Sequence, residues 1–256
     1  MNLTLAGLFL ASVASPTPLS EDTLSAWRKS VSSAEAQLTR PAFLQIDGRP
    51  DCLRRVSAGE IESEPGAHGG MVSVPSGLVH HWVGTVFLPG VGTSELLSIM
   101  QDYDSYSVTY RPAVVESKLL SHDGNDFDYR VKMVESGFGL KSGFVGDFHA
   151  QYHQLNENEG YAVTEGTRLV QLSNDSTPEY VRGVVTIARY RHSNGGMYLE
   201  VETLTLSRDI PGAIKWMASP MVKHFAKQAM VETLERLRTR VNQVHLFETA
   251  RLAGGK

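Results

Sequence analysis

Between Ala113 and Ser207 the chain carries six consecutive strand-like runs with no credible helix between them. They are AVVESKLLSHDG, NDFDYRVKMVES, SGFVGDFHAQYHQL, YAVTEGTRLVQL, YVRGVVTIARYRH and GMYLEVETLTLS. In the second run Phe127, Tyr129, Val131 and Met133 share one face, while Asp126, Asp128, Arg130 and Lys132 share the other. That is the period-two alternation of a half-buried strand. His122-Asp123-Gly124-Asn125 and Ser193-Asn194-Gly195-Gly196 are tight-turn sequences, so the runs they join are antiparallel neighbours.

An earlier run, LVHHWVGTVFL, alternates Val79, His81, Val83, Thr85 and Phe87 with His80, Trp82, Gly84, Val86 and Leu88, and Pro89-Gly90 stops it. GTSELLSIMQDYDSY then supplies one short helix, with Thr93 or Ser94 as its expected cap. The stretch from Ile210 to Val241 closes the chain as a long helix. Its apolar stripe is Ile214, Met217, Met221, Phe225, Met230, Leu234, Leu237 and Val241. Pro220 is expected to kink or divide this helix after Ser219. One strand, a helical connection, six strands and a closing helix predict an α+β domain, a bent seven-stranded antiparallel sheet wrapped round one helix.

This order resembles the helix-grip fold of START lipid-transfer domains, Bet v 1-like pollen allergens and polyketide cyclase-like proteins (the SRPBCC superfamily). The stretches GLVHHWVGTVFLPG, MQDYDSYSVTYRPAVVESKLL and GGMYLEVETLTLSRDIPGAIKWMASPMV look like a bacterial branch of that superfamily, often with export signals. KHFAKQAM after Val222 departs from that branch's pattern. The resemblance implies a cavity between the sheet's concave face and the closing helix.

Four segments are expected: a leader at 1–17, an extension at 18–76, the helix-grip domain at 77–245 and a tail at 246–256. MNLTLAGLFLASVAS is apolar and ends in small residues but lacks a basic n-region. The chain is therefore periplasmic or secreted if this is a signal peptide, and otherwise cytoplasmic. In the extension, Ser20 caps an amphipathic helix with Leu24, Trp27, Val31, Ala34 and Leu38 on one side, ending before Pro41. AFLQI and CLRRVSAGEIES read as short strands about Asp47-Gly48, and ESEPGAHGGMVSVPSG as a linker. The extension has too few apolar residues for its own core, so it is expected to dock on the outside of the helix-grip domain.

Lys plus Arg number 24 against 28 Asp plus Glu, a formal charge of -4, which offers no overall basic field to nucleic acid. A lone Cys52 excludes an intrachain disulfide and a clustered thiolate metal site. His80 and His81 point to opposite faces of a strand, and His149 and His153 stand roughly 13 Å apart along theirs, so neither pair makes a zinc site without a bulge. There is no G-x-S-x-G, no H-E-x-x-H and no phosphate-binding glycine loop. No metal, cofactor or catalytic residue is assigned.

The leading expectation is binding or transport of a hydrophobic or amphipathic, lipid-like small molecule, with a transient membrane-surface contact left open. The expected lining is Trp82, Tyr106, Tyr110, Arg111, Tyr129, Phe148, Arg168, Tyr190, Glu202, Met217 and Met221. Tyrosine presents an apolar body with a polar tip, methionine repacks round varied shapes, and Arg111 is suited to a carboxylate or phosphate head. Glu200 and Glu202 share a face; on the concave side they require a partner such as Arg168 or Arg189, and on the wet side they form cross-strand ion pairs. The alternatives are a cyclase, dehydratase or hydrolase using Glu202, Tyr190, Arg168 and His81, and an interaction module with a filled core.

Overall fold

The computed structural model describes residues 19–40, 42–137, 140–172, 181–208 and 226–245. The expected leader and tail, together with Met217, Pro220 and Met221, lie outside them.

Two helices lead the described chain, α1 (Glu21–Glu35) and α2 (Pro50–Ser57). The strands are β1 (Glu62–Pro65), β2 (Met71–Val74), β3 (Gly77–Pro89), β4 (Val114–Asp123), β5 (Asp126–Gly137), β6 (Leu140–Gln154), β7 (Glu159–Gln171), β8 (Val181–Ser193) and β9 (Gly196–Arg208). Between β3 and β4 lie α3 (Thr93–Met100) and the single turn α4 (Tyr106–Thr109). Residues 226–245 are helical and are called α5.

All pairings are antiparallel, in the order β1-β3-β9-β8-β7-β6-β5-β4, with β2 also on β3. The seven strands from β3 to β9 are those the alternation predicted, and β1 and β2 add to the free side of β3. The β4–β5 and β8–β9 joins form at the Asp-Gly and Asn-Gly pairs; Asn194 and Gly195 have φ of 56° and 76°, the left-handed values that a tight hairpin turn requires.

One side of the sheet is concave and carries Trp82, Val86, Leu88, Phe127, Tyr129, Phe148, Tyr190 and Leu199, packed with Met230, Leu234, Leu237 and Val241 of α5. The closest approach is at Gly84, where an added Cβ would stand 2.5 Å from Met230 Cγ and 2.8 Å from Leu234 Cδ1. Glycine there lets the helix lie on the strand backbone. On the convex side the N-terminal segment covers β3, β8 and β9. Trp27 and Ala34 of α1 pack on Val79, Val185, Ile187, Leu204 and Leu206, while Phe43, Leu44, Ile46, Cys52 and Val56 pack on Tyr198. This is why β3 is buried on both faces along most of its length.

Helix α1 starts where expected: the Ser20 hydroxyl accepts the Thr23 N–H at 3.2 Å, and a 3-10 turn over Ala36–Thr39 ends it ahead of Pro41. Three expectations are corrected. The stretch read as two short strands is a 3-10 turn, Gln45–Gly48, followed by α2: Pro50 opens the helix, and Cys52 and Val56, four apart, face the sheet. The stretch read as linker contains β1 and β2. The N-cap of α3 is Gly92, which has no side chain to cap with, and the Thr93 hydroxyl donates instead to the Glu157 carbonyl at 3.2 Å.

Candidate functional site: the concave face

Strand pairing assembles the inner face row by row. Ala150, Thr164, Thr186, Thr203 and Trp82 are successive partners across β6, β7, β8, β9 and β3. A second row is Tyr152, Ala162, Ala188, Val201 and Gly84. The face divides by exposure. Val86, Leu88, Tyr152, Ala162, Ala188, Tyr190, Met197 and Leu199 are buried. Phe144, Thr164, Leu169, Thr186, Val201 and Thr203, on the same face, are only half-buried.

The half-open part is apolar with a polar stripe. Thr186 Oγ1 lies 3.4 Å from Thr203 Oγ1, and Thr164 hydrogen-bonds the Tyr129 hydroxyl. Farther along, His80 Nε2 is 2.7 Å from Ser207 Oγ. Burial pushes the His80 imidazole down, which keeps it neutral. Ser207 is 1% exposed and also reaches the carbonyls of Leu78 and Arg208, so this pair acts as a strut between β3 and β9.

Beside the stripe sits a tyrosine cluster joining α4 and the preceding turn to the sheet. Tyr103 stacks on Tyr129 with centroids 4.0 Å apart, Tyr129 stacks on Phe148 at 5.4 Å, and Tyr106 meets Tyr129 edge-on at 5.8 Å and Tyr110 at 5.0 Å. The Tyr103 and Tyr152 hydroxyls are 2.9 Å apart, and Tyr106 and Tyr152 both donate to the Met100 carbonyl, at 2.5 and 3.1 Å. Burial pushes Tyr103 up to about 12, and Tyr106, Tyr110, Tyr129 and Tyr152 well above the usual phenol value. These hydroxyls are neutral near pH 7 and serve as hydrogen-bond donors and acceptors.

Of the expected lining residues, Trp82, Tyr106, Tyr110, Tyr129, Phe148 and Tyr190 belong to or pack against this inner core. Tyr190 donates to Gln154 Oε1 at 2.9 Å. Arg111 lies outside α4, in a groove beside α5. Besides Arg111, two residues are not brought together with the rest. Arg168 is on the outer face, 3.9 Å from Asp147, because a register shift between Asp147 and Phe148 leaves Thr167 unpaired and turns the alternation over. Glu202 is also on the outer face.

Glu202 is part of a buried charge cluster beneath the N-terminal segment. Arg189 and Glu200 are 0% exposed and Glu202 1%. Arg189 donates to Glu200 Oε1 at 3.1 Å and to Glu202 Oε2 at 2.5 Å. The backbone N–H of Gln45 donates to Glu200 Oε2 at 2.8 Å. His81 Nδ1 accepts the Ala67 N–H at 3.1 Å, which puts its proton on Nε2, donated to Glu202 Oε1 at 2.6 Å. The carboxylates are thus neither on the concave face nor on a wet face; the extension encloses a cross-strand pair that would otherwise meet water. Burial pushes Glu200 up to about 7, against the opposing Arg189 charge and Gln45 N–H, whereas the His81 and Arg189 contacts outweigh burial at Glu202 and hold it below the usual value. Among Glu202, Tyr190, Arg168 and His81, only Tyr190 faces inward.

On the outer face of β5 and β6, His149 Nδ1 is 2.9 Å from Asp128 and its Nε2 3.4 Å from Asp126, while His153 bonds Gln151. No group suited to a metal ion occurs among the described residues. Sequence reading does not pick out Thr164, Thr186 and Thr203; the signal is present in their common register once the hairpins are paired.

No family model matches the chain, and no curated protein does. Among solved structures it is similar to a fragment of the STAR-related lipid transfer protein from Xanthomonas axonopodis, at 14% identity and TM-score 0.49 over 68% of this chain and 99% of that one. It is similar to the Zhui aromatase/cyclase from Streptomyces sp. R1128, at 12% identity and TM-score 0.47 over 64% of this chain and 94% of that one. Human STARD10 gives 12% identity and TM-score 0.45 over 86% of this chain and 89% of that one. The chain's own strand order, its concave sheet and the C-terminal helix laid on Gly84 are those of the helix-grip fold of START and Bet v 1-like proteins.

Proposed function

We propose that the half-open part of the concave face binds the apolar portion of an amphipathic, lipid-like small molecule. The observation that carries this reading is the division of one continuous face. Its residues near Val86 and Leu199 are sealed by α5, whereas Phe144, Leu169 and Val201 keep accessible apolar surface beside a threonine and tyrosine stripe. Small-molecule sites are largely apolar with a few placed polar groups, and this part of the face has that composition. Removing a ligand's apolar surface from water supplies about 25 cal/mol per Å². Neutral tyrosine and threonine hydroxyls supply direction without a buried charge.

The groups that a cyclase, dehydratase or hydrolase would use are divided between opposite faces, so binding is the reading the geometry favours. Denaturing extraction of the purified chain followed by mass spectrometry is expected to recover an apolar or amphipathic compound in substoichiometric amount. A soluble apolar fluorophore should bind the delipidated chain and be displaced by that extract. Absence of both recovery and fluorophore binding would overturn the proposal.

A further inference from the structure

On the outer side of α4 a groove of about 490 Å³ runs between that turn and one flank of α5, lined by Val108, Arg111, Glu232, Glu235, Arg236 and Arg240 among others. The same α4 turn presents Tyr106 inward, to the tyrosine cluster, and Val108 outward, where it is 70% exposed. The groove and the tyrosine cluster therefore lie on opposite sides of the α4 turn.

Its charges are unequal. Three guanidiniums and two carboxylates line it, and Asp102, just outside the lining, is a third carboxylate that faces Arg240, so the excess positive charge is confined to the lining itself. Glu232 is engaged by Gln228 at 3.0 Å and Arg236 at 3.5 Å, and Arg240 has Asp102 only at 4.0 Å. Arg111 has no hydrogen-bond or ion-pair partner among the described residues. We infer that this groove holds the singly charged oxyanion end, carboxylate or phosphodiester, of the amphiphile whose apolar part enters the concave face. The inference rests on the binding reading above and adds the head-group class. A guanidinium offers two parallel N–H donors to a carboxylate or phosphate, and Arg111 is the residue best placed to do so. The Glu235 carboxylate in the same groove works against a dianion, which separates this site from one for a phosphate monoester. Val108, exposed at the rim, gives apolar surface to the first carbons of the chain.

The test uses decanol, decanoate and decyl phosphate in isothermal titrations at pH 8, with the full delipidated chain and its Arg111→Met and Glu235→Gln variants. Both positions are exposed, and circular dichroism checks that the fold is kept. Decanoate should bind wild type at least about five-fold more tightly than decanol, and Arg111→Met should abolish that ratio while leaving decanol affinity unchanged. Glu235→Gln should raise decyl phosphate affinity more than decanoate affinity. Acetate and inorganic phosphate at the same concentrations should compete with neither, since the head alone lacks the apolar anchor; competition by either would assign the groove to a free anion and overturn the inference. Decanol binding with no preference for decanoate, or a ratio unmoved in Arg111→Met, removes the groove's role and leaves the concave-face reading standing. No binding of any of the three ligands removes both.

Discussion

Replacing Glu200 by Gln removes the one carboxylate in the outer-face cluster whose hold on its proton folding strengthens. Burial raises Glu200 from 4.5 to about 7, although the Arg189 charge and the Gln45 N–H oppose the rise. The folded chain then binds this proton more tightly than the unfolded chain. Its contribution to stability is fully present below 4.5 and is lost as pH rises through about 7. At about 1.4 kcal/mol per pH unit over that window, the loss is of order ~3 kcal/mol. Glu202 has the opposite sign: held below 4.5, it contributes stability that is present above 4.5 and lost as pH falls further. Between pH 5 and pH 8 the two windows hardly overlap, so Glu200 dominates the difference. Urea unfolding of wild type and Glu200→Gln at pH 5 and pH 8, followed by tryptophan fluorescence, isolates it. Wild type should lose about 2–3 kcal/mol more than the variant between the two pH values. Gln makes its own hydrogen bonds to Arg189 and Gln45, altered by about 1 kcal/mol, and because Gln does not titrate these are the same at both pH values, whereas the pH dependence of the wild-type bonds is already contained in the Glu200 shift. Equal losses in the two proteins would show that Glu200 is not the buried proton acceptor described above.

Arg189→Met strands both carboxylates under the extension and should cost about 3–5 kcal/mol at pH 8, with a smaller cost at pH 5, measured by the same unfolding curves. Leu234→Ala, at a fully buried position of α5 against Gly84, should cost about 2–5 kcal/mol in denaturant unfolding.

The parts of the fold legible in the sequence are those where one face is polar. β5 alternates apolar and charged residues cleanly, so its inner face of Phe127, Tyr129, Val131 and Met133 can be read directly. β3, β8 and β9 carry apolar residues on both faces because the N-terminal segment covers one and α5 the other. Parity then places Arg189, Glu200 and Glu202 relative to one another but does not say which side is concave. Arg168 departs from its expected face for a local reason: simple alternation from Ala162 and Thr164 points it inward, and the extra residue at Thr167 reverses it. α2 escapes periodicity because eight residues are too few to display a full helical pattern, although Pro50, Asp51 and the Cys52–Val56 spacing are all visible. The threonine stripe depends on long-range register, which single-strand periodicity does not carry.

The most direct test of the central claim is to locate a bound amphiphile. A fatty acid bearing a diazirine near the chain terminus, photolysed in the delipidated chain and mapped by peptide mass spectrometry, should label the peptides that contain Phe144, Leu169 and Val201. Labelling concentrated instead on the convex side, around Trp27, Phe43 and Val56, or spread evenly over exposed residues such as Leu120 and Leu155, would contradict an amphiphile site on the concave face.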